Sequence, residues 1–208
     1  VRRLTITNLT GAARELEITS YAEIVLAPPA ADAAHPAFSN LFVETEFVPE
    51  HDALLAARRP RSAAAKRHWA LHVIGVRGHS TAATSYETDR AAFVGRGRST
   101  ADPQALHEPL AQHSGTVLDP IFSLRRRVRI VPGGSAQLTF ATGVAESREQ
   151  ALHLADRYRD PEAAARVFAS GLPIDLVPLD ATRQALLLRH ELMAALGRTP
   201  GAIATRVA

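Results

Sequence analysis

The chain has 208 residues, 46% hydrophobic and 22% charged, enough for one large domain with a core of its own or for a domain with an appendage. It contains no cysteine, which excludes disulfides, thiolate metal sites and cysteine nucleophiles. The net charge is +3, and the pI near 9.9 arises because every basic residue except Lys66 is arginine, so it is weak evidence for a nucleic-acid partner.

The first two thirds of the chain read as β structure. A strand begins almost at once, at Ile6 to Asn8. From Glu15 to Leu26 the pattern alternates, with Leu16, Ile18, Ile24 and Leu26 on one face and Glu15, Glu17, Tyr21 and Glu23 on the other. This predicts one long strand, of the kind a large sandwich needs. Further strands are expected at Leu41 to Val48, His68 to Val76, Ala82 to Thr88, Ile121 to Val131 and Ala136 to Val144. Pro132, Gly133 and Gly134 form a turn signal that predicts a hairpin between the last two. Ala27 to Pro36, Pro49 to Lys66 and Gly95 to Ser114 read as irregular, with a short helix in HDALLAARRPRSAAAK before Pro60.

The pattern changes at Ser147. SREQ is a capping box, in which the Ser hydroxyl and the Gln side chain satisfy free amides at a helix start, and Leu152, Leu154, Ala155 and Tyr158 supply the apolar stripe. A second helix is expected from Asp160 and Pro161 to about Gly171, and a third from about Asp180 to Leu196. No charged segment followed by an apolar run reads as a leader peptide. No apolar run approaches the ~18 residues of a membrane span.

Several residue groups invite a chemical reading. Glu44 and Glu46 share a strand face, about 6.5–7 Å apart at the backbone. Paired glycosidase carboxylates flank a substrate from opposite sides, so the expected role here is a solvated or salt-bridged face, with sugar binding as the alternative. His68 and His72 lie about 13 Å apart on a strand, too far to share a metal, and Trp69 reads as core. In RRRVR, Arg125, Arg127 and Arg129 fall on one face, and their pairing with acidic neighbours is favoured over a nucleic-acid site. Asp89 and Arg90 offer acceptor and fork-donor geometry suited to sugar hydroxyls, while Gly95 and Gly97 let Arg96 and Arg98 project from a bent loop. The alternative is an internal Asp89–Arg90 salt bridge that braces the loop. Asp32 and His35, in a proline-rich loop, divide the same way between shape and contact.

Three blocks carry a family resemblance: TSYAEIVLAPPAADAAHPAFSNLFVETEFV from Thr19 to Val48, YETDRAAFVGRGRS from Tyr86 to Ser99, and LDPIFSLRRRVRIVPGG from Leu118 to Gly134. They resemble the β-sandwich domain of glycoside hydrolase family 94 (glycosyltransferase family 36), most closely that of the cyclic β-1,2-glucan synthases. With the pattern above, the resemblance implies a mainly β fold: an antiparallel β-sandwich of the supersandwich, galactose-mutarotase-like type over residues 1–146, then a short α-helical linker segment over 147–208. In that family the catalytic acid sits in a following (α/α)6 barrel. Such a barrel needs twelve helices, and only about three are available here, so this chain is expected to be a non-catalytic piece of a glycosyltransferase or phosphorylase-like parent.

The resemblance implies as partners the barrel of the same parent chain, a weak contact with β-glucan through Asp89, Arg90, Arg96 and Arg98, and a second copy in a homodimer. No nucleic acid, membrane insertion, cofactor or metal is expected. The implied location is the cytoplasmic side of the bacterial inner membrane, as part of a larger membrane protein. A free-standing carbohydrate-binding module, or a dimerisation domain of a disaccharide phosphorylase-like enzyme, is the alternative. The helices after Ser147, cut from their barrel, are expected to be more labile than the sandwich.

Overall fold

The computed structural model describes residues 1–60 and 66–171, and within them the alternating segments pair into two antiparallel sheets. In chain order the strands are β1 (Arg2–Thr7), β2 (Arg14–Thr19), β3 (Ala22–Glu23), β4 (Val43–Val48), β5 (Ala53–Arg58), β6 (Trp69–Arg77), β7 (His79–Ser80), β8 (Ser85–Asp89), β9 (Gly115–Thr116), β10 (Pro120–Ile130) and β11 (Ser135–Ala145). The helices are α1 (Pro29–Ala34), α2 (Pro36–Asn40), α3 (Arg90–Val94), α4 (Arg148–Arg159) and α5 (Pro161–Ala169). The first sheet runs β1-β11-β6-β5-β4-β9. The second is built on β10, which pairs with β2 and β3 along one edge and with β7 and β8 along the other.

The main core lies between the sheets. Val43, Leu54, Ala56 and Ile74 of the first face Phe122, Leu124 and Val128 of the second, all at most 2% exposed. Each fully buried Leu or Phe removes enough apolar surface from water to stabilise the fold by about 1.5–3 kcal/mol. Part of each outer face is covered as well. Ala151 and Ala155 of α4 pack on Ala53, Leu55, Leu71 and Val73, and Phe93, Val94, Ala105 and Leu110 close over Ile121.

This double cover explains the main departure from the sequence reading. The ALLAA stretch, expected to be irregular or briefly helical, is β5, the buried strand between β4 and β6. Leu54 and Ala56 enter the main core while Ala53 and Leu55 meet α4, so both faces are apolar and no alternation marks the strand.

The hairpin across Pro132–Gly134 is a second correction. The turn exists, with Gly133 at φ +70° and Gly134 N–H donating to Val131 O at 2.9 Å. However, β10 belongs to one sheet and β11 to the other, so the turn arches between layers. The edges that would have paired them are taken by β2, β8, β1 and β6.

The long strand expected from Glu15 to Leu26 divides into β2 and β3 without changing its register on β10. Ser20 N–H donates to Leu124 O at 2.9 Å in the usual way. Leu124 N–H, however, donates to the Ser20 hydroxyl at 3.0 Å where a ladder would use a carbonyl. The same hydroxyl lies 2.9 Å from His72 Nε2, and Thr142 Oγ1 lies 2.8 Å from His72 Nδ1. His72 thus joins the two sheets through the core, with its ring stacked on Phe122 and Phe140. Burial pushes its imidazole pKa down to about 3, with Arg2 and the amino terminus adding to the shift, so it is neutral.

The helix starts at Ser147 and Pro161 fall where they were expected, whereas the stretch Ala27 to Pro36, expected to be irregular, contains α1, and α2 and α3 were not foreseen. Ser147 Oγ accepts from Gln150 N–H at 3.1 Å, and the Gln150 side chain accepts from Glu146 N–H at 2.9 Å, closing the cap at one end of α4. The third expected helix, Asp180 to Leu196, lies outside the described residues. No helix among the described residues is long and apolar enough to cross a membrane.

Candidate functional site

The residues at the Asp89 end of the second sheet form one polar network. Tyr21 and Glu23 face outward from β3 and the residue before it. The Tyr21 hydroxyl donates to Glu23 Oε1 at 2.8 Å. Arg90, the first residue of α3, donates through Nε to the Tyr21 hydroxyl at 3.1 Å and to Glu23 at 3.3 Å. Its guanidinium also lies 3.7 Å from Asp119, which accepts from Asn40 Nδ2 at 3.0 Å. Burial, together with the hydrogen bond to Glu23, pushes the Tyr21 phenol up to about 12, and burial raises the Asp119 carboxyl above its ordinary value.

Tyr21, Glu23 and Asn40 come from the first sequence block, Asp89 and Arg90 from the second, and Asp119 from the third. Three distant stretches therefore converge on one guanidinium. Sequence reasoning singled out Arg90 but missed its partners. Their membership of the same three blocks was the available signal.

The four residues expected to project together do not. Asp89 caps α3, its Oδ1 accepting from Ala91 N–H at 2.8 Å. It does not form the alternative salt bridge with Arg90, because adjacent residues at a helix start point apart. Arg98 is turned back onto Asp102, 2.9 Å away, and Asp102 is shared with His107 at 2.6 Å. Arg96 follows Gly95, whose φ of +83° ends the helix, and among the described residues it makes no hydrogen bond or ion pair.

Arg96 lines a cleft of about 210 Å³ between α3 and the turn at Gln104–Leu106, together with Glu87, Gln104 and Glu108. Glu87, 1% exposed, forms the floor. Its Oε1 accepts from Thr88 and Asp89 N–H at 2.9 and 2.8 Å, and His113 Nδ1 lies 3.1 Å from Oε2. Beside it in the ladder is Ser123, also fully buried. Gln104 Nε2 donates to Glu108 Oε2 at 2.6 Å. The covering turn is anchored from below by Arg125, which donates to the carbonyls of Ala105 and Glu108.

The remaining candidate groups are engaged in structure. Glu44 meets Arg59 at 3.0 Å and Arg67 at 3.1 Å, and Glu46 is clamped by Arg148, so the strand face is salt-bridged. In the arginine run, Arg127 pairs with Glu17 and Arg126 reaches Asp52 at 3.3 Å. Arg125 is 6% exposed, which corrects the expected basic outer face to Arg127 and Arg129 alone. Trp69 is half-buried under the Arg67 guanidinium. Asp32 falls in α1, and His35 is exposed between α1 and α2. No cluster of three metal-ligating side chains occurs among the described residues.

The model for the glycosyl hydrolase 94 supersandwich domain matches residues 1–161, a span that includes α4. The cyclic beta-(1,2)-glucan synthase NdvB of Rhizobium meliloti (strain 1021) is 40% identical over 164 residues, which are 77% of this chain and 6% of that protein. The chain thus spans only a small fraction of the curated relative it matches.

Proposed function

The chain belongs to the supersandwich domain family of glycosyl hydrolase 94, and from that premise we propose that it serves as a non-catalytic, carbohydrate-associated module of a cyclic β-1,2-glucan synthase. In this reading it braces a separate catalytic barrel of the same parent on the cytoplasmic side of the inner membrane. It contacts glucan weakly through the loop that follows Asp89.

The observation that carries this reading is the engagement of the carboxylates. Glu44, Glu46, Glu87, Glu23 and Asp119 are each held by an arginine, a histidine or backbone amides. Glycoside hydrolysis uses two carboxyl groups that flank a glycosidic bond from opposite sides. Here the acids instead tie strands, loops and α4 to one another, which is what a brace requires. Arg96, which makes no ion pair among the described residues, stands beside a cleft where it can meet a sugar.

The test is turnover. The purified chain, incubated with linear β-1,2-glucan and with phosphate, should release no glucose, glucose phosphate or shortened product above the rate without protein. Turnover abolished by Glu44→Gln or Glu87→Gln in a folded variant would overturn the non-catalytic reading.

A further inference from the structure

The cleft beneath α3 has a composition that selects its occupant. Its volume of about 210 Å³ lies below the roughly 300–1,000 Å³ of pockets for drug-sized ligands, which suits one small ring better than a longer chain. Its walls are apolar along Ala92, Pro109 and Leu110. Its polar groups are one cation, Arg96, one amide, Gln104, and two carboxylates, Glu87 and Glu108.

An anionic ligand that reached Arg96 would also face Glu87 and Glu108. A cationic ligand that reached the carboxylates would face Arg96. A neutral ring with vicinal hydroxyls meets neither conflict, since each hydroxyl both donates and accepts. It can accept from the Arg96 fork and the Gln104 amide and donate to the Glu108 carboxylate.

The other arginines of this region are committed elsewhere: Arg90 to Tyr21, Glu23 and Asp119, Arg98 to Asp102, and Arg125 to the covering turn. Gly95 shapes the cleft, because a Cβ there would lie 2.5 Å from Gln104 Oε1. The backbone must therefore come this close for Gln104 to stand at the rim.

We propose that the Glu87–Arg96–Gln104–Glu108 cleft is a subsite for a single neutral pyranose ring, with any further units of the sugar chain lying outside it. The assignment rests on the carbohydrate-associated reading above and adds the location, ring count and charge class of the ligand. Arg96 and Gln104 are the positioning donors, and Glu108 is the acceptor.

The test is an NMR titration of the isotopically labelled 208-residue chain with glucose and with the β-1,2-linked glucose disaccharide, and separately with glucuronate and inorganic phosphate. The neutral sugars should shift the amides of residues 91–96 and 104–111 with roughly millimolar affinity. Arg96→Ala or Gln104→Leu, each with an unchanged spectrum elsewhere, should weaken this at least about fivefold, a loss on the scale of one hydrogen bond. Ala92→Phe, which fills the cleft, should abolish it, while Arg98→Ala should leave it unchanged.

Absence of shifts in those segments at about 100 mM glucose, well above a millimolar dissociation constant, would overturn the subsite. So would tighter binding of glucuronate or phosphate there than of glucose. Shifts caused by long β-1,2-glucan on another surface would dismiss the subsite while leaving the domain-level reading in place.

Discussion

At Gly95 the backbone leaves α3 with φ +83° and passes directly against Gln104, whereas Gly97, at φ +72°, has open space where a Cβ would go. Both positions strain an L-residue by roughly 1–2 kcal/mol. Gly95→Ala adds the displacement of Gln104, about 1–3 kcal/mol of overpacking. In chemical denaturation Gly95→Ala should therefore lose clearly more stability than Gly97→Ala, and equal losses would contradict the contact. His72 makes a prediction about pH. Its folded pKa of about 3 lies below the ordinary 6.5, so its neutral form favours the fold and its contribution is fully present above pH 6.5. As pH falls from 6.5 toward 3, that contribution is lost at a limiting slope of about 1.4 kcal/mol per pH unit. Denaturation midpoints of the native chain between pH 7 and 4 should fall more steeply than those of His72→Gln; parallel curves would show that His72 does not carry the effect. At this scale the sequence revealed which residue types matter but not their partners. The salt-bridged fate of Glu44 and Glu46 follows from two carboxylates on one strand face, whereas the attraction of Arg90 to Tyr21 and Glu23 rather than Asp89 depends on pairing across the sheet.

Strands with a wet face were legible from their alternation, and β6, covered on both faces, was still read as a strand from its β-branched residues, but β5 was not. The strand of Ile18 and Ile24 alternates because its other side carries Glu15, Glu17 and Glu23, but β5 lies between the sandwich core and α4 and loses every polar marker. Pro132–Gly134 announced a turn, yet a turn does not specify whether its strands pair or stack, and competing strands decided that here. The structure packs α4 firmly on the first sheet, although the helices after Ser147 were expected to be more labile than the sandwich. Ala151 and Ala155 are fully buried, Arg148 holds Glu46, Asp156 lies 2.6 Å from His51, and Arg159 donates to Glu50 O at 2.7 Å. A Cβ at Gly75 of β6 would collide with the Arg159 carbonyl oxygen. We therefore expect α4 amides to exchange with protection approaching that of β6 and β10. Gly75→Ala should lower α4 protection selectively, by about 1–3 kcal/mol, because the backbone of the helix must lift. Protection of α4 that is low in the native chain and indifferent to Gly75→Ala would place the helix outside the cooperative unit.

Across the whole molecule, charge and burial divide the work. Two sheets and their apolar covers supply a rigid body, ion pairs tie its loops down, and in the segment from Asp89 to Ala111 the Arg96 guanidinium has no ion pair among the described residues and lines a small cleft. With only 5% aromatic residues, stacking area for a sugar chain is scarce, so recognition should be weak and carried by hydrogen bonds. The most direct measurement is an NMR titration of the entire chain with linear β-1,2-glucan. Shifts should be concentrated in residues 89–98 and 104–111, with a dissociation constant of about a millimolar, equivalent to about 4 kcal/mol. Shifts confined to the first sheet or α4, or none at several-fold higher concentration, would contradict it.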